Sequence, residues 1–336
     1  MHITFSAYYT LILAVLVLLL GKFLVQRIRF LRNFNIPEPV AGGLVVATVI
    51  YTLHEAIGLT LAFESSLQTA FMLIFFSSIG LSANFAKLRE GGMGLVVFLA
   101  IIAVFIVVQN TVGIGLASLL GLDPLIGLMA GSITLVGGHG TAGAWGSVLE
   151  GQYGLTGATT LGIACATFGL VIGGLLGGPL AKRLITRHQL AQARPDAEQL
   201  APTAPTVPEG GERTNFEFPS NAPRLITADA AIETLALFAG CLAFAEFMTH
   251  LTKGTAIQLP TFVWALGTGV VIRNVLDYVF NVQVFDRAID VFGNAGLSIY
   301  LAMALLSLKL WELTDLAAPL MVILAVQTVM MGLYAG

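Results

Sequence analysis

The chain has 336 residues, of which 57% are hydrophobic and only 10% charged, with a formal net charge of −3. A water-soluble domain carries about 25% charged residues; so apolar a chain could not be wetted by so few charges, which excludes a cytosolic enzyme, a nucleic-acid binder and a disordered scaffold. A mean hydropathy of +0.88 belongs to a polytopic membrane protein.

A helix needs about 20 mostly apolar residues to cross the hydrocarbon. The first such run is 5–25. It lacks a basic n-region ahead and a small-residue cleavage site behind, so it reads as a retained span rather than a signal peptide. Further spans are expected at 39–57, 67–86, 93–120 and 156–181, and then at 226–249, 259–280, 288–310 and 317–336. Cys165 and Cys241 fall inside apolar runs and read as small hydrophobes, with no disulfide and no metal site. Residues 182–225 differ from everything around them, with six of the twelve prolines and eleven charges. They read as a solvated linker. The expected organisation is a first membrane repeat over 1–184, a cytoplasmic linker over 185–225 and a second membrane repeat over 226–336.

The segment 124–149 is set apart by charge. With an external N-terminus and a segment that enters and returns, fourteen of the sixteen Lys and Arg residues face the cytoplasm; only Lys253 and Lys309 face out. If the segment crossed, the tally would be eight against eight. Basic residues accumulate on the cytoplasmic side, so the segment is expected to be a re-entrant hairpin. It also holds seven glycines between Gly127 and Gly146. Glycine at that density weakens a helix, and irregular backbone at membrane depth survives only inside protein or beside a watery cavity. The competing reading is one glycine-rich packing helix.

An internal repeat is also legible. Ile36-Pro37-Glu38-Pro39-Val40 corresponds to Leu259-Pro260-Thr261-Phe262-Val263, Phe76–Leu81 to Tyr300–Leu305, and Val108-Gln109-Asn110-Thr111-Val112 to Val326-Gln327-Thr328-Val329, at offsets of 223, 224 and 218. Five crossings before the linker put the second copy upside down, the inverted arrangement of secondary transporters. On this logic the second repeat is truncated, and the complete gene product extends about 65 residues further through a second hairpin and a fifth span. The expected fold is therefore all-α and polytopic: two inverted-topology repeats of five transmembrane helices with re-entrant hairpins.

Polar groups inside the membrane are costly enough to suggest function. Ser132, Thr134, Gly137, Gly138, His139, Gly140 and Thr141 form a candidate substrate-binding set, because free N–H groups at a helix start hold a carboxylate. Arg273 and Asn274 join it as a candidate anion site, although Arg273 stands one helical turn from Asp277 and pairing or snorkelling explains it equally. Glu38 reads as an acid favoured by the helix N-terminus. Asn84, Gln109, Asn110 and Thr167 offer neutral oxygens suited to a small hard cation such as Na⁺, or serve as helix-bridging polar groups. Neither a serine–histidine nor a paired-aspartate arrangement suggests an intramembrane protease, and an ion channel would want a continuous polar pore.

Several runs resemble the bacterial sodium/glutamate symporter family: Ile36–Gly43, Leu122-Asp123-Pro124, Ala130-Gly131-Ser132-Ile133-Thr134, Gly137–Thr141, Ala164–Leu170 and Ser307–Leu313. The resemblance covers nearly the whole chain except the linker. It implies Na⁺-coupled uptake of L-glutamate by alternating access, no enzymatic activity, and Na⁺ as coupling ion with no cofactor. It also implies two inverted five-helix domains, a homodimer, and a multi-pass place in the bacterial inner membrane with a periplasmic N-terminus. Another carboxylate, such as citrate or a dicarboxylate, is the alternative substrate.

Overall fold

The computed structural model describes residues 2–33, 36–187, 226–255, 257–282, 284–313 and 316–335. The linker expected over 185–225 lies outside the described residues from 188 onward.

The described chain is helical almost throughout. A short strand β1 (His2–Phe5) precedes α1 (Ala7–Arg27), a single turn α2 (Arg29–Asn33) and α3 (Glu38–Ile57). Pro37 precedes α3 and Pro39 sits in its first turn, where a missing N–H leaves no bond unmade. Strand β2 (Thr60–Phe63), α4 (Ser66–Ser82), α5 (Phe85–Glu90) and α6 (Gly92–Leu119) follow. The segment set apart by sequence is broken: α7 (Pro124–Leu128) widens into a π turn (Met129–Ile133), and α8 (Gly138–Tyr153) starts afresh. Helix α9 (Ala158–Arg187) ends the first half. The second half comprises α10 (Ala228–Leu251), α11 (Thr261–Tyr278), α12 (Asp286–Leu306), a 3₁₀ turn (Leu310–Leu313) and α13 (Ala317–Ala335).

Each of the nine expected spans corresponds to one long helix. Seven of these are long and apolar enough to cross a membrane on their own: α1, α3, α6, α9, α10, α12 and α13. Helix α4 has 17 residues, about 26 Å of rise against a hydrocarbon core of about 30 Å. Helix α11 ends in the polar group Arg273, Asn274 and Asp277.

The two strands depart from the all-α expectation. They pair in parallel, His2 opposite Thr60 and Phe5 opposite Phe63, and push the start of the first helix to Ala7. Four-residue strands leave no periodic trace in sequence. They are held by the stacked rings of Phe5 and Phe63, 5.3 Å apart, and by Glu64, whose carboxylate accepts the Ala7 N–H (2.8 Å) at the start of α1.

In lipid there is little hydrophobic drive between helices, so close packing decides which ones associate. Two packed groups result, each drawing on both halves of the chain. Helices α1, α3, α4, α10, α11 and α12 form one; α6, the broken segment, α9 and α13 form the other. The first has its own cores, around Ala14, Val17, Met303 and Leu306 and around Leu81, Phe238, Cys241 and Ile289. The second is centred on Met129, Ala130, Leu161, Cys165 and Ile323. Apolar side chains also bridge the seam: Ile163 and Val171 of α9 share a core with Val40 and Tyr300, and Ala144, Trp145 and Val148 of α8 share one with Phe76 and Phe262, the Trp145 ring meeting that of Phe262 edge-on at 5.7 Å.

Helices matched by the sequence repeat meet across both groups. Tyr334 Oη donates to the Ile101 carbonyl and Gln327 Nε2 to the Gln109 carbonyl, both at 2.9 Å, while Leu324 shares a core with Ala117. Helix α13 therefore runs antiparallel to α6. Gly293 faces Ser78, and Gly296 faces Ile74 and Phe71, so α12 runs antiparallel to α4.

Candidate functional site

The broken segment is built by local rules. Asp123 accepts the Leu125 N–H (2.9 Å) ahead of Pro124, a standard helix start. Gly113 of α6 lies backbone to backbone against Gly127 of α7, and a Cβ on either would collide with the other's carbonyl. In the π turn, Gly131 leaves helical geometry (φ −104°, ψ −132°). Carbonyls freed there are taken up by side chains: the Thr134 hydroxyl donates to the Met129 carbonyl (2.6 Å) and the Thr141 hydroxyl to that of Ile133 (2.7 Å). The Ser132 N–H donates to Asn110 Oδ1 (3.2 Å). The chain turns at Val136 and Gly137, and α8 opens on Gly138 at φ +75°, a left-handed conformation natural only to glycine.

No side chain caps the start of α8. Its first N–H groups have no partner within the helix and carry the positive end of its dipole. His139, just inside that start, is 9% exposed. Its Nε2 lies 3.1 Å from Thr167 Oγ1, whose own proton goes to the Ile163 carbonyl at 2.8 Å. A neutral imidazole with its hydrogen on Nε2 satisfies both contacts.

The turn opens on a cavity of about 390 Å³ in the seam between the two helix groups, a size suited to a small ligand. Gly137, His139 and Gly140 form one wall. Glu38 with its flanking prolines, Phe75, and the stretch Leu297, Ser298 and Leu301 of α12 form the other. A second cavity, of about 560 Å³, lies further along the seam between Ser147, Glu150 and Thr160 on one side and Gln68, Ser307 and Lys309 on the other. Between the two, the buried Tyr300 hydroxyl presses against Gly143.

The structure thus brings Gly137, Gly138, His139, Gly140, Thr141 and Thr167 together at the turn. Ser132, Thr134, Gln109 and Asn110 gather at the π turn beside it. Asn84, Arg273 and Asn274 lie elsewhere, where α4 and α5 meet α11. Asn84 donates to Asp277 (2.7 Å) and caps α5. Asn274 accepts the Phe85 N–H (3.0 Å) and donates to the Ala83 carbonyl (2.9 Å). Arg273, 5% exposed, donates to Asp277 (2.9 Å), to Asp286 and to the Leu81 carbonyl (3.3 Å). Its guanidinium is already faced by two carboxylates. Sequence reasoning did not place Phe75 or Ser298 at the cavity, since single residues inside apolar spans carry no signal. For Glu38, an acid between two prolines at a span's start, a signal existed.

Membrane-length apolar helices around a broken helix, whose open N-terminus faces a cavity, are the arrangement of a multi-pass membrane carrier. The chain belongs to the sodium/glutamate symporter family, whose model matches residues 3–336. It is 49% identical over 335 residues to a sodium/glutamate symporter of Haemophilus influenzae, covering 100% of this chain and 80% of that protein. It is also 49% identical over 326 residues to one from Escherichia coli K12, covering 97% and 78%. No solved structure gives a significant match.

Proposed function

We propose that this protein takes up L-glutamate together with Na⁺ across the bacterial inner membrane by alternating access around the broken segment. The observation that carries the reading is the uncapped N-terminus of α8 facing a seam cavity in a chain of this family. Backbone N–H groups at Gly138, His139 and Gly140 suit a substrate carboxylate. Thr141, Ser132 and Thr134 hold the turn open, while Gln109, Asn110 and Thr167 supply neutral oxygens for Na⁺. In this reading Arg273 and Asn274 join helices instead of touching the substrate, and Asn84 does so instead of holding Na⁺.

Two observations support a re-entrant hairpin. The arm Pro124–Ile133 rises only about 15 Å, half the hydrocarbon thickness. Leu122 before it and Leu155 after α8 also pack in the same core. The antiparallel meetings of α4 with α12 and of α6 with α13 support inverted repeats over 1–184 and 226–336. A homodimer belongs to the same proposal through the family resemblance.

Labelled glutamate should accumulate in proteoliposomes of the protein only under an inward Na⁺ gradient. Accumulation without Na⁺, or preference for citrate, would sink the reading. The topology has its own check. With a periplasmic N-terminus and a cytoplasmic linker, Thr206→Cys should resist a membrane-impermeant thiol reagent in intact cells, against a silent background because Cys165 and Cys241 are buried. Ready labelling from outside would reverse the orientation.

A further inference from the structure

Gln327 of α13 and Gln109 of α6 are both fully buried, and the Oε1 atom of each has no hydrogen-bond partner. Two orphaned amide oxygens at one helix crossing are unfavourable in a low-dielectric interior unless something supplies positive charge or a proton. Their NH₂ groups are directed elsewhere. Gln327 Nε2 donates to the Gln109 carbonyl at 2.9 Å, and Gln109 Nε2 faces Met331 Sδ at 3.8 Å. The first of these bonds orients the Gln327 amide and leaves its oxygen in the packed interior.

The crossing sits on the irregular part of the broken segment. A Cβ built on Gly131 would lie 3.2 Å from Asn110 Oδ1 and 3.8 Å from Gln327 Nε2. Asn110 from the first half and Gln327 from the second therefore flank the one residue whose backbone leaves helical geometry in the π turn. Gly113 makes the room, since a Cβ there would stand 3.0 Å from Gln327 Nε2. Among the described residues, no group of three His, Cys, Asp or Glu could hold a metal. What this crossing offers is neutral amide oxygen, the donor type that suits a hard cation and not a transition metal.

We propose that the α6–α13 crossing at the π turn is a Na⁺ site in which Gln327, a residue of the second half, is a ligand alongside Asn110 and Gln109. The proposal rests on the Na⁺-coupled reading above and adds to it the residue through which α13 senses the ion. An ion held there ties α13 and α6 to the π turn that leads into the open start of α8. Ion occupancy and the shape of the substrate turn are then linked through one short stretch of backbone.

The test uses the purified protein and two readouts: thermal stabilisation by NaCl against choline chloride without glutamate, and the Na⁺ concentration giving half-maximal glutamate uptake. Gln327→Leu should raise the half-saturating Na⁺ concentration at least tenfold and blunt the stabilisation by NaCl. An unchanged half-saturation overturns the site. Gln327→Glu retains the shape and adds charge, so it serves even if the leucine variant does not fold. It should lower the half-saturating Na⁺ concentration several-fold, and a wild-type value means that water, not Na⁺, occupies the crossing and overturns the proposal. If the unmodified protein shows no Na⁺-driven uptake, the functional reading fails; the NaCl stabilisation of the variants still decides the site.

Discussion

Gly138→Val is expected to reduce Na⁺-driven glutamate uptake to background while leaving the protein inserted and folded. Gly138 sits at φ +75°, where an L side chain costs about 1–2 kcal/mol and a β-branched one more. No atom lies within 4 Å of a Cβ built there, so the substitution meets strain and not collision. The cheapest relief is for the backbone to swing into the right-handed region, which turns the first N–H groups of α8 away from the cavity. Gly138→Ala should fall between wild type and valine. Unaltered uptake kinetics in the valine variant would remove the turn from the substrate site, and loss of folded protein would favour a packing role for the glycine.

Arg273→Gln is expected to act on stability instead of on substrate affinity. The guanidinium is held by Asp277 and Asp286, whose side chains are 19% and 44% exposed. Removing one partner from a fully buried ion pair destabilises by about 3–5 kcal/mol; the carboxylates left here are partly solvated, and Asp277 keeps its bond from Asn84, so the loss falls below that range, at about 1–3 kcal/mol. The melting temperature in detergent should drop markedly, and Arg273→Gln combined with Asp286→Asn should recover part of it. Apparent glutamate affinity in the folded fraction should hardly change. A tenfold loss of affinity at unchanged stability would place Arg273 on the substrate.

The long helices were legible because membrane spans announce themselves as uninterrupted apolar runs, and the break was legible because Gly137-Gly138-His139-Gly140 cannot continue a helix comfortably. Asp123-Pro124 starts α7 by ordinary capping chemistry, a signal the sequence reading left unused. Partner choice was not legible. Nothing along α10 or α11 says that they pack with α4 while α9 and α13 join the broken segment, because in lipid all apolar faces look alike in sequence and the selection lies in shape. Asp277 was visible as a partner for Arg273 from its one-turn spacing, whereas Asp286 was not, because it comes from the start of another helix. Gln109 attracted notice as a polar residue mid-span. Its meeting with Gln327 depended on reading the two halves as copies of one another.

The contact of Tyr300 with Gly143 has a consequence for leakage. Along α12 the smaller cavity is lined by Leu297, Ser298 and Leu301 and the larger one by Ala304, followed by Ser307 and Lys309 just past the helix end; on α8 they are lined by Gly140 and Ser147. Between these linings Tyr300 closes against Gly143, and the fit depends on residue 143 having no side chain, since a Cβ there would meet the phenol oxygen. A looser fit at this contact would join the two cavities and let ions through without cargo.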